Sequence, residues 1–333
     1  MSPQFVDYDG DGDLDLVAGI FDGSPHVALR GKDGWQQPVG ILDKDGQRIV
    51  MNAYWNFDTK QWDSTERCDP AAGKVGEGHL TSAWAVDWDG DGDLDLLLGD
   101  HKAGQVMVRK NEGTRTAPAY ATRNEAVYAA GAPLVVPGTV TTLRTIDWDG
   151  DGVMDLLVGS MGDAYQGKAI GGVYVHRNEG TNAAPKLAAG LQLVVAPAPG
   201  ESAVGPNAGL YMDCADLDGD GDLDLLVGGY SMWTPKAPEL TPEQTARRAV
   251  VRAELDALQA RMTALIDALM KRLEAASDDA AKDKVRGEVM AEQKAERQEI
   301  FAARAPLQKE LDALSPGMKR ESLTWFYRNL AKN

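Results

Sequence analysis

Four near-identical Asp-rich segments constrain this 333-residue chain more than any other feature. Their sequences are DYDGDGDLDLVAG, DWDGDGDLDLLLG, DWDGDGVMDLLVG and DLDGDGDLDLLVG, at residues 7–19, 87–99, 147–159 and 216–228. They start 60 to 80 residues apart, and self-similarity at such a spacing is typical of repeat architectures. The sequence therefore predicts a fold of repeated units that each contain one Asp loop.

The residues around the loops predict short β-strands. After each loop comes a run that is apolar on both faces and ends in glycine, such as residues 96–98, which fits a strand buried on both sides. Further strands are predicted at alternating runs that precede the next Asp loop in its unit, such as 132–136 and 191–195. One unit then consists of strand, strand, Asp loop, buried strand, turn and strand. About four short strands per unit predict a mainly β protein, a β-propeller of about four blades that forms either a compact ring or part of a larger one.

The strand pattern stops after residue 235, and residues 241–315 predict an antiparallel helical hairpin. Thr241 and Pro242 form a helix start, and apolar residues then recur every three or four positions from Val251 to Leu273. A weaker second stripe contains Pro306, which we expect to kink or break the helix. Residues 318–333 resume the strand pattern, so the hairpin is predicted as an insertion in the last blade, whose other residues lie within 1–235. Its apolar stripe forms either its own seam, as in a coiled coil, or a surface for dimerisation or partner binding.

The loops have the donor pattern of a calcium site. In the second loop, carboxylates stand at positions 1, 3, 5 and 9, and position 7 can offer its backbone carbonyl. Ca²⁺ takes six to eight oxygen ligands in flexible geometry. The loops contain no His or Cys, the residues that zinc or copper would favour as ligands. The predicted ligand residues of the four sites are Asp7, Asp9, Asp11, Asp13, Asp15; Asp87, Asp89, Asp91, Asp93, Asp95; Asp147, Asp149, Asp151, Val153, Asp155; and Asp216, Asp218, Asp220, Asp222, Asp224.

The third loop and the EF-hand each test this interpretation. Val153 stands at position 7 of the third loop, and a backbone ligand tolerates that side chain. An EF-hand also uses positions 1, 3 and 5, but it needs a glutamate at position 12 and flanking helices. Position 12 here is Ala18, Leu98, Val158 or Val227, which excludes the EF-hand.

The D-x-D-G-D-G-x-x-D loops resemble the FG-GAP or VCBS-type repeats of integrin-α-like propellers and of many bacterial surface proteins. The resemblance covers about residues 1–235 and 318–333. It implies calcium bound between adjacent strands of a blade, with ligands at positions 1, 3, 5 and 9. It also implies cell adhesion and an extracellular, cell-surface or periplasmic location.

Composition limits the partners and the compartment. The net charge is −17, so nucleic acid is not expected as a partner, because phosphate binding needs a basic surface. The sequence contains no run of about 18 apolar residues, so no membrane span is predicted. No signal peptide precedes the first loop, which leaves open a cytoplasmic protein and a piece of an exported one. Cys68 and Cys214 either stay free or form one disulfide.

The best candidate for a ligand surface is an aromatic cluster in the long insert of the first unit, formed by Tyr54, Trp55, Phe57 and Trp62. No catalytic triad or metalloprotease motif is found. Two hypotheses follow. The first is a non-catalytic calcium-binding repeat protein that presents a surface for protein or glycan recognition. The second is a carbohydrate-active protein, either a lectin or the propeller part of a polysaccharide lyase or hydrolase.

Overall fold

The structure, a computed structural model, describes residues 3–51, 53–64, 79–162, 171–197 and 200–330. It divides into two compact units. The first contains Met1–Met232 and Arg320–Asn333, and the second contains Trp233–Lys319.

The first unit is built of short strands. In chain order they are β1 (Gln4–Val6), β2 (Asp15–Gly19), β3 (Pro25–Ala28), β4 (Arg30–Gly31), β5 (Gly34–Trp35), β6 (Val39–Gly40), β7 (Ala53–Asn56), β8 (Gln61–Ser64), β9 (Leu80–Val86), β10 (Asp95–Asp100), β11 (Val106–Arg109), β12 (Glu125–Ala126), β13 (Tyr128–Ala129), β14 (Ala132–Pro133), β15 (Thr139–Ile146), β16 (Asp155–Met161), β17 (Gly172–His176), β18 (Leu191–Val195), β19 (Ala208–Ala215), β20 (Asp224–Trp233) and β21 (Lys319–Tyr327).

Four of the sheets formed by these strands each contain one Asp loop. Sheets 1, 2 and 3 have the strand orders β1-β2-β3-β6, β9-β10-β11-β12 and β15-β16-β17-β18, and sheet 4 has the order β19-β20-β21. In every one, the loop joins the first strand to the second, and these two strands pair antiparallel. Strands β4 and β5, β7 and β8, and β13 and β14 form separate two-stranded sheets.

The second strand of a sheet contributes to the cores on both sides of it. Leu96 and Leu98 pack in the core shared with sheet 1, whereas Leu97 packs in the core shared with sheet 3. All three side chains are fully buried. Because successive strand residues point to opposite faces, an uninterrupted apolar run is what a strand between two sheets requires. The prediction of strands buried on both sides is confirmed for sheet 2.

The sheets pack face to face in the order of the sequence. The core between sheets 3 and 4 includes Leu157 and Val175 from sheet 3, and Met212 and Val227 from sheet 4. Packing between strands joins sheets 1 and 2, 2 and 3, and 3 and 4, and nothing comparable joins sheet 4 to sheet 1 within the described residues. The first unit is thus mainly β, as predicted, with small antiparallel sheets packed in series.

The boundaries of the repeated unit differ from the prediction. Residues 191–195 were expected to precede the fourth loop in its unit, but they form β18, which pairs with β17 as the last strand of sheet 3. Residues Ala132–Pro133 form β14, which pairs with β13 outside the four sheets. Periodicity gives the length of a repeat but not its starting point. The hydrogen-bond register that assigns a strand to one of two neighbouring sheets is absent from the sequence.

The second unit contains three helices, α1 (Pro242–Glu274), α2 (Asp279–Glu292) and α3 (Lys294–Leu314). Thr241 and Gln244 form the expected capping box at the start of α1. The predicted second arm is divided at Gln293. Pro306 does not break the second arm, because α3 continues through that residue, whereas the expected kink stays a prediction.

The apolar stripe of α1 lies in the contact with α3. Leu258 and Met262 pack against Ile300, with Ala303 and Leu307 beside them. These last two residues flank Pro306, so their packing holds α3 together across the proline. Ion pairs between the arms, Arg247–Glu310 at 2.7 Å and Arg272–Glu292 at 2.7 Å, border the seam.

Cys214 is a free cysteine whose burial raises its thiol pKa to about 12, whereas Cys68 lies outside the described residues.

Across the described ranges, no helix has the length and apolar character that crossing a bilayer requires.

The packing of the sheets predicts a position-dependent cost of truncation. Leu97→Ala removes a fully buried side chain between sheets 2 and 3, so we expect the free energy of unfolding to fall by about 2–5 kcal/mol. Leu191→Ala is the matched control, because Leu191 is 62% exposed on β18, and it should cost far less. Urea unfolding measures both variants, and equal losses would contradict the stacked core.

Candidate metal centres

Each Asp loop is a tight coil that two glycines make possible. The glycines at positions 4 and 6 all have positive φ angles, between 74° and 93°. Residues that carry a Cβ atom rarely adopt this backbone conformation. The coil lets the first aspartate accept hydrogen bonds from within the loop. Asp147 Oδ1 accepts from the Gly150 N–H at 2.8 Å, and its Oδ2 accepts from the Gly152 N–H at 2.9 Å. Position 5 is fixed similarly, since the Val153 N–H donates to Asp151 Oδ1 at 2.8 Å.

The coil brings the predicted carboxylates together. In every loop, three of them have oxygens within 4.8 Å of one another. Positions 1 and 3 belong to all four clusters, and the third member stands at position 5 or 9. The clusters are Asp7, Asp9, Asp15; Asp87, Asp89, Asp91; Asp147, Asp149, Asp151; and Asp216, Asp218, Asp224. Each cluster could hold a metal ion through oxygen ligands alone.

The aspartate at position 9 is buried and has a structural role that the sequence did not reveal. Asp155 Oδ2 accepts a hydrogen bond from the Trp148 N–H at 3.1 Å, and Oδ1 accepts one from the Asn178 N–H at 2.7 Å. Trp148 lies in the loop, and Asn178 follows the third strand of the sheet. The carboxylate therefore ties the loop to the third strand. Asp15 and Asp224 make the equivalent pairs of contacts.

Position 7 differs among the loops. Asp13 is exposed and Val153 is half-buried, whereas the Asp93 side chain is only 5% exposed. Burial, followed by repulsion from Asp91, Asp89 and Asp87, raises the pKa of Asp93 to about 6. The predicted role of this residue was confined to its backbone carbonyl, but in the second loop the carboxylate also faces the cluster.

Basic side chains enter three of the loops, and the prediction missed them. Lys110 Nζ lies 2.6 Å from Asp89 Oδ2, Arg177 pairs with Asp149, and Arg328 Nε lies 2.5 Å from Asp218 Oδ2. Each follows the third strand and precedes an asparagine, and each reaches position 3 of its loop. The recurring basic–Asn pair was the available sequence signal. In sheet 1, Leu29 stands at this place, and Arg115 from the neighbouring sheet reaches Asp7 at 3.6 Å instead.

The sequence Asn-Glu-Gly-Thr occurs after the third strand of sheets 2 and 3, at residues 111–114 and 178–181, and the structure explains it as a turn. Asn178 Oδ1 accepts hydrogen bonds from the N–H groups of Gly180 and Lys186, at 3.0 and 2.8 Å. Its Nδ2 donates to the backbone oxygens of Met154 and Thr181, both at 3.2 Å. This one side chain closes the turn and fastens it to the end of the Asp loop.

The structure brings three of the four predicted ligand-surface residues together and separates the fourth. Trp55 and Trp62 are paired across β7 and β8, with ring centroids 5.8 Å apart. With Phe57, Ile20 and Phe21 they line a cleft of about 550 Å³. Tyr54 is not among the lining residues. It adjoins Trp55 on the same strand, so the two side chains point to opposite faces. Its ring lies under the Arg48 guanidinium at 5.0 Å.

Two histidines extend the aromatic cluster inwards. The His79 ring lies 4.4 Å from that of Trp62 and stacks on that of His101 at 4.3 Å. Burial, reinforced by His101, lowers the pKa of His79 to about 4, so His79 is neutral at physiological pH. His79 therefore adds no charge behind the cleft, which is also lined by Asp22.

Comparison with known families agrees with this geometry. The family model described as FG-GAP-like repeat matches residues 87–158 and 147–227. Residues 87–227 of this chain therefore contain two FG-GAP-like repeats. Each match begins at an Asp loop and ends in the second strand of the next sheet, so each includes the interface between two sheets. No curated protein matches this chain.

The contacts of the ninth aspartate predict a stability effect that is independent of metal. In excess chelator, Asp155→Ala should leave two N–H groups without their acceptor, at a cost of about 1–3 kcal/mol each. Asp151→Ala is the control, because this exposed carboxylate accepts only from the neighbouring Val153 and solvent can replace it. Equal losses in urea unfolding would contradict the structural role of Asp155.

Proposed function

We propose that this chain is a non-catalytic, calcium-binding β-propeller protein that presents a surface for protein or glycan recognition. The four clusters of carboxylates within 4.8 Å carry the calcium part of the proposal. Their oxygens suit a hard cation, and their number suits Ca²⁺ better than Mg²⁺, which keeps more of its water. In this proposal the four sheets are blades, and about four ions bind to each chain.

The second loop supplies a test of whether a cation fits. Asp93 Oδ1 is buried and has no hydrogen-bond partner, although it lies beside three other carboxylates. Buried polar atoms are nearly always satisfied, and an unpaired buried carboxylate oxygen is costly. A cation held by Asp87, Asp89, Asp91 and Asp95, with Asp93, would satisfy it. The same positions of the other loops, with Val153 contributing its backbone carbonyl, would hold the other ions.

Calcium in these loops would act on the stability of the sheets. Each loop joins the first and second strands of a sheet, and its ninth residue reaches the third strand. A bound ion would offset the repulsion among carboxylates at this junction, and the basic residues Lys110, Arg177 and Arg328 would moderate the affinity. Weak sites of this kind suit extracellular calcium concentrations, which supports an extracellular, cell-surface or periplasmic location and a role in adhesion.

The aromatic cleft is the proposed recognition surface. Phe21, Phe57 and Trp62 are 68%, 62% and 40% exposed, although they are large apolar side chains. Exposed aromatic clusters of this kind commonly bind a partner. The helices of the second unit are an alternative surface for dimerisation or partner binding.

A second candidate is a carbohydrate-active protein, either a lectin or the propeller part of a polysaccharide lyase or hydrolase. Aromatic faces stack on sugar rings, and the paired Trp55 and Trp62 favour this candidate. Turnover of a polysaccharide by the purified chain would contradict the non-catalytic proposal.

Chelation should lower the thermal stability of the protein. Because calcium binds the folded state, each site occupied at a hundredfold excess over its Kd should contribute about 2.7 kcal/mol, which EDTA removes. Asp91→Asn keeps the acceptor for the Asp93 N–H but removes a charged ligand, so it should shrink the change in melting temperature caused by EDTA. Asp33→Asn, at an exposed aspartate outside the loops, should leave it unchanged. A melting curve that EDTA does not alter would contradict calcium binding.

The aromatic cleft makes a separate prediction. A glycan array probed with the wild-type chain should reveal bound sugars if the cleft stacks on pyranose rings, and Trp62→Ala should abolish that signal. Tyr128→Ala, which removes another exposed aromatic ring, should retain it. Glycan binding that survives Trp62→Ala would place recognition elsewhere. An array without any signal would leave a protein as the proposed ligand.

A further inference from the structure

The interfaces between consecutive sheets follow one rule, and sheet 4 departs from it. In the second strand, the residue two places after the ninth loop aspartate faces the following sheet. These residues in sheets 1, 2 and 3 are fully buried: Val17, Leu97 and Leu157. The equivalent residue of sheet 4, Leu226, is only half-buried and belongs to none of the cores.

A glycine at the end of the second strand follows the same rule. In sheets 1 to 3, a Cβ atom on this glycine would collide with the first strand of the following sheet: Gly19 with Ser82 Cα at 2.7 Å, Gly99 with Thr141 O at 2.6 Å and Gly159 with Leu210 O at 2.4 Å. Among the described residues, a Cβ on Gly228 of sheet 4 would meet only Tyr211 O of its own sheet, at 3.7 Å. No described residue makes at Gly228 the close approach that requires glycine in the other three sheets.

Two more apolar residues mark this face of sheet 4. Leu217 has the loop position of Trp148, which packs in the core between sheets 3 and 4. Phe326 precedes Asn329 by three residues, as Val175 of that core precedes Asn178. Leu217 and Phe326 are each 50% exposed. The face of sheet 4 beside Leu226, Gly228, Leu217 and Phe326 is called the trailing face below.

No described residue range of the chain covers sheet 1 on its opposite side. Leu16 is half-buried and pairs with Phe5, which is 64% exposed and lies 6.1 Å from the half-exposed Trp35. The residues equivalent to Leu16 in sheets 2, 3 and 4 pack against the preceding sheet and are 0%, 0% and 3% exposed: Leu96, Leu156 and Leu225. The face of sheet 1 beside Phe5, Leu16 and Trp35 is called the leading face below.

We propose that a second copy of this chain packs its leading face on the trailing face of the first, and that the two copies close head to tail around a twofold axis. In each internal interface, the face of one sheet that corresponds to the trailing face packs on the face of the next sheet that corresponds to the leading face. The proposed contact therefore repeats an interface that the chain already makes three times. Both faces belong to one chain, and two copies cover both faces of each. Head-to-tail contacts of this type close into rings when the rotation permits.

A polar side chain on the first strand contacts the following sheet in each internal interface. In the internal interfaces it reaches the first strand of the following sheet: Gln4 Nε2 donates to Ala85 O at 2.8 Å, and Trp84 Nε1 donates to Thr145 Oγ1 at 2.9 Å. The equivalent Arg144 Nε of sheet 3 lies 3.8 Å from Asp213 Oδ1 of sheet 4. In sheet 4 this position holds Asp213 itself, which is paired in register with Leu226 and whose side chain is 71% exposed.

Sedimentation equilibrium of the full chain, with calcium and physiological salt to limit repulsion between copies of charge −17, tests the proposal. We expect twice the chain mass of 35.7 kDa. Gly228→Val should give the single-chain mass, because the added side chain has room within the chain but would block the second copy. Leu226→Asp should do the same by placing a charge in the contact. Gly159→Val is the matched control, which should destabilise the fold itself, since its Cβ has no room.

Each other outcome overturns the proposal. A wild-type chain at the single-chain mass would exclude the pair. A pair that persists in both Gly228→Val and Leu226→Asp would place the contact elsewhere, as on the helices of the second unit. Masses that grow beyond two copies would exclude the closed arrangement. A monomer destabilised by Gly228→Val as strongly as by Gly159→Val would show that the chain itself covers the trailing face.

Discussion

Repulsion among carboxylates in four short loops is the constraint on which the rest of this structure depends. Each loop gathers at least three carboxylates within 4.8 Å at the junction of the first two strands of a sheet. Backbone N–H groups and one basic side chain offset part of that repulsion. A buried carboxylate at the ninth position ties the loop to the third strand, so the charge state of the loop and the integrity of the sheet are linked.

The second constraint is the packing of each sheet against two others. A strand that joins two cores must be apolar on both faces, and a glycine must end it where the next sheet approaches most closely. The same rule, applied at the two ends of the series, leaves one apolar face of sheet 1 and one of sheet 4 without a covering sheet in the part of the chain that the structure describes. Two features are thus repeated along the chain: loops that gather carboxylates able to hold a metal ion, and apolar faces that stack the sheets.

The sequence predicted those features that local spacing determines. The loops, the buried strands after them and the start of α1 at Thr241 follow from residue type and periodicity, and the structure places them as expected. Contacts between distant residues were not accessible. The reach of Lys110 into the second loop depends on the register of β11, the separation of Tyr54 from Trp55 depends on the exact pairing of β7, and the persistence of α3 through Pro306 depends on packing against α1. The assignment of residues 191–195 to sheet 3 depends on pairing in the same way.

The calcium content of the purified chain tests the central claim most directly. Elemental analysis by mass spectrometry, after equilibrium dialysis against buffered calcium in the presence of excess magnesium, counts the ions that the loops retain. Four carboxylate clusters predict about four calcium ions per chain and little magnesium. A chain that retains no calcium under these conditions, or that retains zinc in its place, would contradict the account.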